Sequence, residues 1–338
     1  MSNLPGISVI IPCYKAQDTI IRTLCSICEQ EIAEDLEVIL VNDCDGLDYQ
    51  KFIDMFSPYF YIKEIKREVN GGPGDSRQTG IEAATKPLIT FIDADDTFSG
   101  RFALKTLRNS LIQDPTTACV FSRFLEDQKV SYLVHQEENP WMFGKMYKRD
   151  FLINNNIRFP INSRANEDGA FNTLCKFYSD DNHKIKNIQD ISYYWCYKED
   201  SITRKDNCDY SYNGSFKGLV ENQIWTIKEA EKSLPFNEKI HKHKVTMMVN
   251  LFVYYLESCR SGRKYIKQNY DLCKQYYKEI YKEIKNKVTD QLLADCYNEV
   301  MRNNYSANKL KNIIPMGFMD FLNKLEGETN GTNDTTRS

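Results

Sequence analysis

The stretch PLITFIDADD, residues 87–96, joins a short apolar run to three acidic side chains. A continuous apolar run of this length is typical of a strand buried on both faces of a sheet. Asp93, Asp95 and Asp96 follow at its carboxyl end. Carboxylates this close together repel one another unless a cation compensates them. The stretch therefore predicts a buried strand that ends in a cation site; the alternative is a solvated helix cap at Asp95 or Asp96.

Further strand and helix patterns precede this stretch in alternation. Apolar runs predict strands, and apolar positions at helical spacing predict helices; the strands are ISVIIP (7–12), LEVILVND (36–43) and YIKEIKRE (61–68), and the helices span residues 18–30, capped by Asp18, and 74–85. This alternation predicts a parallel α/β sheet. Because ligands bind beyond the carboxyl ends of such strands, we expect Tyr14, Asp43 and residues 93–96 to share one edge.

The sequence NGGPG, residues 70–74, precedes the second predicted helix. Glycine lets the backbone approach a ligand closely, and a helix amino terminus favours phosphate. An ordinary turn has the same composition, so the loop by itself does not distinguish a phosphate-binding site from a turn. Arg77, one helical turn further on, is expected to pair either with phosphate or with the carboxylates of the fourth strand.

The pattern changes near residue 210, beyond which long helical patterns predominate. They predict a helical domain over residues 206–325, and the apolar-poor tail, 326–338, predicts disorder. Residues 210–325 hold 19 Lys and Arg against 12 Asp and Glu, whereas residues 1–209 hold 24 against 32. A basic rear portion indicates contact with an anionic polymer or surface; the alternative is a lysine-coated helical face.

Composition limits the class of protein. Of the 338 residues, 41% are hydrophobic, which is enough for a sizeable core. No apolar run approaches the roughly 20 residues of a membrane-spanning helix. The first apolar run is short and has no basic segment ahead of it, unlike a secretion signal. These features predict a cytoplasmic protein, with peripheral contact at the inner face of the membrane as an option.

The motifs quoted above, in this order and spacing, resemble those of family 2 glycosyltransferases with the GT-A fold: ISVIIPCYKAQDTI, LEVILVNDCDG, NGGPGDSRQTGIEAA and PLITFIDADD. Later motifs of the same group are similar to GKMYKRDFLINNNIRFP, NEDGAFN and YYWCYKEDSIT. The resemblance covers residues 7 to about 205. It implies a GT-A-type, Rossmann-like, mostly parallel sheet flanked by helices over residues 1–205. The helical domain predicted over residues 206–325 is expected to bind the acceptor or to form oligomers.

The resemblance implies a metal-dependent, inverting hexosyltransferase that uses a nucleotide sugar, usually a UDP-sugar, with Mn²⁺ or Mg²⁺. Several residues match positions that bind the donor in this family. Pro12 and Tyr14 would border the nucleobase and ribose, and Asp43 would accept a hydrogen bond from the base. Asp93 and Ala94 would face the donor. Asp95 would ligate the metal, and Arg77 would steady this acidic edge.

The resemblance also implies a catalytic pair at residues 167 and 168. Asp168 matches the general base of the family, with Glu167 beside it. Inversion requires a base because the acceptor hydroxyl must lose its proton as it attacks. A carboxylate whose pKa is raised by burial or by a like-charged neighbour suits this role. The alternative is a second helix cap.

Three positions depart from the usual pattern: Asn42 stands where a second acid is common, Asp45 where serine is usual, and Lys198 where arginine is frequent. They leave the implied metal ligand and base in place but weaken any assignment of the donor's base or sugar. The acceptor is expected to be a cell-surface glycan, a lipid-linked glycan or a wall polymer. A hydroxylated base in nucleic acid is the lower-ranked alternative, as are nucleotidyl transfer and a non-catalytic nucleotide-sugar-binding role.

Overall fold

The computed structural model describes residues 4–138, 140–199, 215–260, 266–303 and 316–330. The chain divides into two compact units, residues 1–205 and 206–338. The first unit contains a curled sheet with helices on its faces. The second unit is helical.

The first four strands of the sheet are parallel: β1 (Ile7–Cys13), β2 (Leu36–Asn42), β3 (Tyr61–Lys66) and β4 (Leu88–Phe91). They lie side by side in the order β3-β2-β1-β4. The connecting helices are α1 (Ile20–Cys28), α2 (Gln50–Phe56) and α3 (Pro73–Ala83). This arrangement confirms the parallel α/β interpretation. All seven residues of β2 are buried, as expected for a strand covered on both faces.

The rest of the first unit extends the sheet with strands of both directions. The strands are β5 (Thr97–Phe98), β6 (Thr117–Asp127), β7 (Tyr132–His135), β8 (Lys145–Lys148) and β9 (Lys184–Trp195). The helices are α4 (Ala103–Ile112), α5 (Arg149–Asn154) and α6 (Glu167–Tyr178). The described strands continue in the order β4-β8-β6-β9-β5, with β7 on β6. Since β8 is antiparallel to β4, the purely parallel part ends at β4.

The predicted start of the first helix was wrong. Helix α1 begins at Ile20, and Thr19, not Asp18, is its N-cap residue, without a side-chain cap bond. The amides of Thr19 and Ile20 instead donate to the main-chain oxygen of Ala16, at 3.0 and 2.9 Å. A backbone turn therefore accepts hydrogen bonds from amides at the start of the helix, where a capping carboxylate would otherwise be the acceptor.

The second unit contains long helices, as the sequence predicts. They are α7 (Ser215–Glu231), α8 (Glu238–Arg260), α9 (Ile266–Tyr276), the short α10 (Lys282–Ile284), α11 (Asp290–Asn303) and α12 (Phe318–Asn330). A π-helical turn, Tyr277–Tyr281, joins α9 to α10. No helix in the described ranges is long and apolar enough to cross a membrane.

Helix α12 corrects the predicted boundary of the tail. It continues to Asn330, so the expected disorder was wrong for residues 326–330. Phe321 and Leu325 are buried, and the Phe321 ring lies 5.2 Å from that of Phe252 on α8. Packing of this apolar face holds the helix in place, and the helix continues through the polar residues at its C-terminal end. Residues 331–338 lie outside the described part of the chain.

Close packing of α3 on β1 depends on Gly80. A Cβ atom at this position would lie 2.3 Å from Cγ2 of Ile10, whose side chain is fully buried. We expect Gly80→Ala to lower the free energy of unfolding by about 1–3 kcal/mol, because overpacked cores must shift. Urea unfolding of the purified chain measures this change.

The same substitution at Gly327 is a matched control. This glycine also lies in a helix, but a Cβ atom added there would meet no atom within 4 Å apart from its chain neighbours and the backbone of its own helix. Gly327→Ala should leave stability unchanged or raise it slightly, as expected from helix propensity. Equal losses of stability in the two variants would contradict the close packing of α3 on β1 as the cause.

Candidate functional site

The carboxyl ends of β2, β1 and β4 meet at one edge of the sheet. Cys13, the last residue of β1, lies opposite Asn42 of β2, and Ile10 lies opposite Phe91 of β4. Tyr14 directly follows β1 and Asp43 directly follows β2, and the acidic run 93–96 begins after Ile92, the residue that follows β4. The predicted edge is therefore formed as the sequence led us to expect.

Asp43 holds the glycine-rich loop. Its Oδ1 atom accepts hydrogen bonds from the Gly71 amide at 3.0 Å and from Arg67 Nη1 at 2.6 Å. Its Oδ2 atom accepts one from the Gly72 amide at 2.8 Å. Gly72 has a φ of 91°, a backbone conformation that strongly favours glycine. Asp43 thus shapes the loop, and its contact with a nucleobase stays a prediction.

The acids after β4 lie in different environments. Asp96 is buried, and its carboxylate accepts hydrogen bonds from the Tyr193 hydroxyl at 2.6 Å and the Cys196 amide at 2.9 Å. Burial raises the pKa of Asp96 well above its ordinary value, and nearby Asp93 and Asp95 add to the rise. Both carboxylate oxygens of Asp96 therefore accept hydrogen bonds inside the protein, and these bonds anchor the turn after β4 to β9.

Asp95 points outward by comparison. Its side chain is 35% exposed, and its Oδ2 atom lies 3.1 Å from Nζ of Lys198. The guanidinium of Arg22 donates to its main-chain oxygen. Asp95 therefore presents an accessible carboxylate beside two cationic side chains, and its role as a metal ligand stays a prediction.

Arg77 links the strand edge to helix α6. Nη2 bonds Oδ1 of Asp93 at 2.7 Å; Nη1 bonds Oε1 of Glu167 at 2.9 Å and Oδ1 of Asp168 at 2.7 Å. Only 3% of its side chain is exposed. Burial by itself lowers the pKa of Arg77, but the surrounding carboxylates raise it well above its ordinary value. The two acidic groups that the sequence places apart are therefore one charge cluster.

Asp168 lies in the first turn of α6. Besides Arg77, the Met142 amide donates to its Oδ2 atom at 3.2 Å. Burial raises the pKa of Asp168 to about 7; Arg77 opposes this rise, and Glu167 adds to it. A carboxylate with such a pKa is suited to accept a proton near neutrality.

The remaining predicted donor-site residues are arranged around this edge. Tyr14 is 53% exposed, with Nζ of Lys15 at 5.3 Å from its ring centroid. Pro12 is partly exposed within β1. The Ala94 side chain is buried, so any donor contact at this position would involve its backbone.

Several residues at the site were not predicted from the sequence. Arg67 bridges Asp43 and Asp75 at 2.6 and 3.1 Å. Lys145 and Asn172 hold the main chain beside Asp168, as described below. Spacing offered a signal for Asn172, which lies four residues after Asp168 on the same helical face. Arg67 and Lys145 had no such signal, because their partners are distant in sequence.

Comparison with known proteins agrees with this fold. Residues 8–165 match the family described as Glycosyl transferase family 2. This stretch belongs to that family. The structure is also similar to the crystal structure of Staphylococcus aureus TarS 1-349 in complex with UDP-GlcNAc, with a TM-score of 0.66 and 17% identity over 96% of this chain and 92% of that one. This likeness confirms the GT-A fold.

Two curated relatives in the glycosyl transferase family act on poly(ribitol-phosphate), according to their names. The beta-glucosyltransferase of Bacillus spizizenii is 27% identical over 240 residues, 67% of this chain and 37% of that protein. The beta-N-acetylglucosaminyltransferase TarS of Staphylococcus aureus is 24% identical over 208 residues, 57% of this chain and 36% of that protein. The matched part thus spans little more than a third of these relatives.

The Arg77 cluster predicts a strong effect of removing its charge. Arg77→Met should destabilise the first unit by about 3–5 kcal/mol, because three carboxylates lose their buried partner. Arg77→Lys is the matched variant: it keeps the charge but lacks the fork that reaches carboxylates on both sides. We expect it to be more stable than the methionine variant and less stable than the wild type.

Urea unfolding of the wild type and the two variants measures both differences in stability. If Arg77→Met unfolded at the wild-type denaturant concentration, the cluster would not contribute to stability as its geometry indicates.

Proposed function

We propose that this chain is an inverting glycosyltransferase that moves a hexose from a UDP-sugar to a hydroxyl of an anionic cell-wall polymer. The observation that carries this proposal is the Arg77 cluster. It places the acidic strand end, including Asp93, and the carboxylate of Asp168 around one guanidinium. A donor-binding edge and a base of suitable pKa are thereby adjacent, as a single-displacement transfer requires.

The proposed reaction uses the two sides of this cluster differently. An acceptor hydroxyl attacks C1 of the donor sugar, forms the new C–O bond and transfers its proton to Asp168. The bond between C1 and the diphosphate breaks, and UDP leaves with the electron pair. Attack opposite the leaving group inverts the configuration at C1. Glu167, beside the base, raises its pKa, and Arg77 limits that rise.

A divalent metal, Mn²⁺ or Mg²⁺, fits the acidic edge. The accessible carboxylate of Asp95 would hold it, since Asp96 is engaged by Tyr193 and Cys196. When bound, it would neutralise charge on the departing diphosphate. In the described ranges, no group of three or more His, Cys, Asp or Glu is arranged to hold a metal. Such ions commonly take one carboxylate and complete their coordination with substrate phosphates and water.

The acceptor assignment is supported by charge and by relatives. The relatives named above act on poly(ribitol-phosphate), and residues 210–325 carry more Lys and Arg than Asp and Glu. A segment with a surplus of positive charge favours a polymer of repeating phosphates. Ribitol-phosphate polymer is therefore the first acceptor to test, with neutral glycan as its comparison.

We expect Asp168→Asn to lower kcat for transfer from UDP-GlcNAc or UDP-glucose at least about 100-fold, because general-base catalysis contributes this much. Donor affinity should change little. The acid limb of kcat/KM for the wild type should lie near pH 7, with activity falling as pH falls and Asp168 gains its proton.

Glu167→Gln is the companion variant. Removing this negative neighbour lowers the pKa of Asp168, so the acid limb should move to lower pH. A pH–rate profile from pH 5 to 9 measures both effects. Near wild-type transfer by Asp168→Asn would show that another group is the base.

Metal binding should depend on the donor diphosphate. Because Asp95 supplies a single accessible carboxylate, we expect Mn²⁺ to bind weakly alone and at least about tenfold more tightly with UDP. Asp95→Asn should abolish this coupling while the chain stays folded. Electron paramagnetic resonance of free Mn²⁺ measures the titration without catalysis. Tight Mn²⁺ binding by the Asp95→Asn variant with UDP would place the metal elsewhere.

A further inference from the structure

Lys145 is a fully buried lysine at the start of β8. Its Nζ atom donates hydrogen bonds to the main-chain oxygens of Trp141 at 2.6 Å and Phe143 at 3.4 Å. The ammonium group also lies 4.9 Å from the ring centroid of Phe121. Placing an ammonium group in the interior is costly unless its donors are used. Its position therefore fixes the backbone of residues 141–143.

Asn172 holds the same segment from helix α6. Its Nδ2 atom donates to the main-chain oxygens of Pro140 at 2.9 Å and Trp141 at 3.1 Å. The Tyr147 hydroxyl donates to its Oδ1 atom at 2.7 Å and fixes the orientation of the amide. Lys145 and Asn172 thus converge on one carbonyl, that of Trp141.

The segment so held ends at the proposed base. The Met142 amide, between the two carbonyls that Lys145 bonds, donates to Oδ2 of Asp168 at 3.2 Å. A hydrogen bond to the ionised form of a carboxyl group favours that form. The orientation of residues 141–143 therefore affects how readily Asp168 ionises.

We propose that Lys145 is a positioning residue for the glycosyl transfer: it fixes residues 141–143 so that the Met142 amide bonds Asp168. This proposal rests on the role of Asp168 as the base, proposed above. In the proposed arrangement, Lys145 itself contacts neither the donor nor the acceptor. It acts through the backbone and through its charge.

The charge of Lys145 also favours the ionised form of Asp168. Burial lowers the pKa of Lys145 to about 7, whereas Asp168 raises it, Lys176 lowers it and Cys175 raises it. Because the interaction between two charges is mutual, the Lys145 ammonium also lowers the pKa of Asp168. The other charged or titratable groups that interact with Asp168 are Arg77, Glu167, Asp93 and Tyr147. Loss of Lys145 removes a positive charge and loosens a donor, and both changes raise the pKa of Asp168.

A purely structural lysine would behave differently. If Lys145 only stabilised the turn before β8, its replacement would lower stability and reduce activity by the same factor at every pH. A positioning residue also moves the acid limb of the pH–rate profile. The pH profile therefore separates the two roles.

The test compares Lys145→Met with Lys244→Met over pH 5–9. Lys244 is a matched control because it is also buried, but it lies in the second unit, 2.6 Å from Glu231. We expect Lys145→Met to shift the acid limb of kcat/KM upward by about one pH unit, which is a tenfold loss below the limb. Its kcat should fall more than its donor KM changes. Lys244→Met should leave the limb at the wild-type pH.

Asn172→Ala provides a second variant should Lys145→Met fail to fold. It removes the other support of the Trp141 carbonyl and keeps the lysine, so its acid limb should also move upward. Hydrogen exchange of the peptide spanning residues 141–146 should be at least about tenfold faster in either folded variant. An acid limb at the wild-type pH in a folded Lys145→Met or Asn172→Ala variant overturns the proposal.

The failure of this inference is distinct from failure of the proposed function. If Asp168→Asn transfers sugar at the wild-type rate, Asp168 is not the base and the proposed mechanism fails. If Asp168→Asn is inactive but Lys145→Met keeps the wild-type acid limb, only the positioning role fails.

Discussion

The site depends on one buried guanidinium shared by three carboxylates. Arg77 lies on α3, Asp93 follows β4, and Glu167 and Asp168 begin α6. Without the cation, these like charges would repel one another in a poorly solvated region. The ion pairs therefore tie three elements together and set the position of the strand edge relative to the proposed base. The stability of the first unit and its proposed function depend on the same interaction.

Four aspartates of the site have different roles because their surroundings differ. Asp43 binds backbone amides and orders the glycine-rich loop, and Asp96 is buried and anchors the turn to β9. Asp95 is accessible beside Lys198, whereas Asp168 is enclosed and its pKa is raised to about 7. Environment, more than residue type, separates structural acids from those that we propose to bind metal or accept a proton.

The sequence predicted the elements that depend on local pattern. The buried strands and the acidic strand end follow from apolar runs and from the geometry of parallel sheets. The pairing of Arg77 with the carboxylates was one of two alternatives that the sequence left open. It did not predict that β8 would run antiparallel to β4, nor that Lys145 would support the segment beside Asp168. These features depend on contacts between residues far apart in sequence, which periodicity does not reveal. The start of α1 was missed because a backbone turn replaced a side-chain cap.

The most direct test is a crystal structure of the chain with Mn²⁺ and an unreactive UDP-sugar analogue. We expect the metal between the Asp95 carboxylate and the diphosphate, with C1 of the sugar facing Asp168 across the Arg77 cluster. A nucleotide bound away from the edge formed by β1, β2 and β4, or a sugar directed away from Asp168, would contradict the proposed arrangement of donor and base.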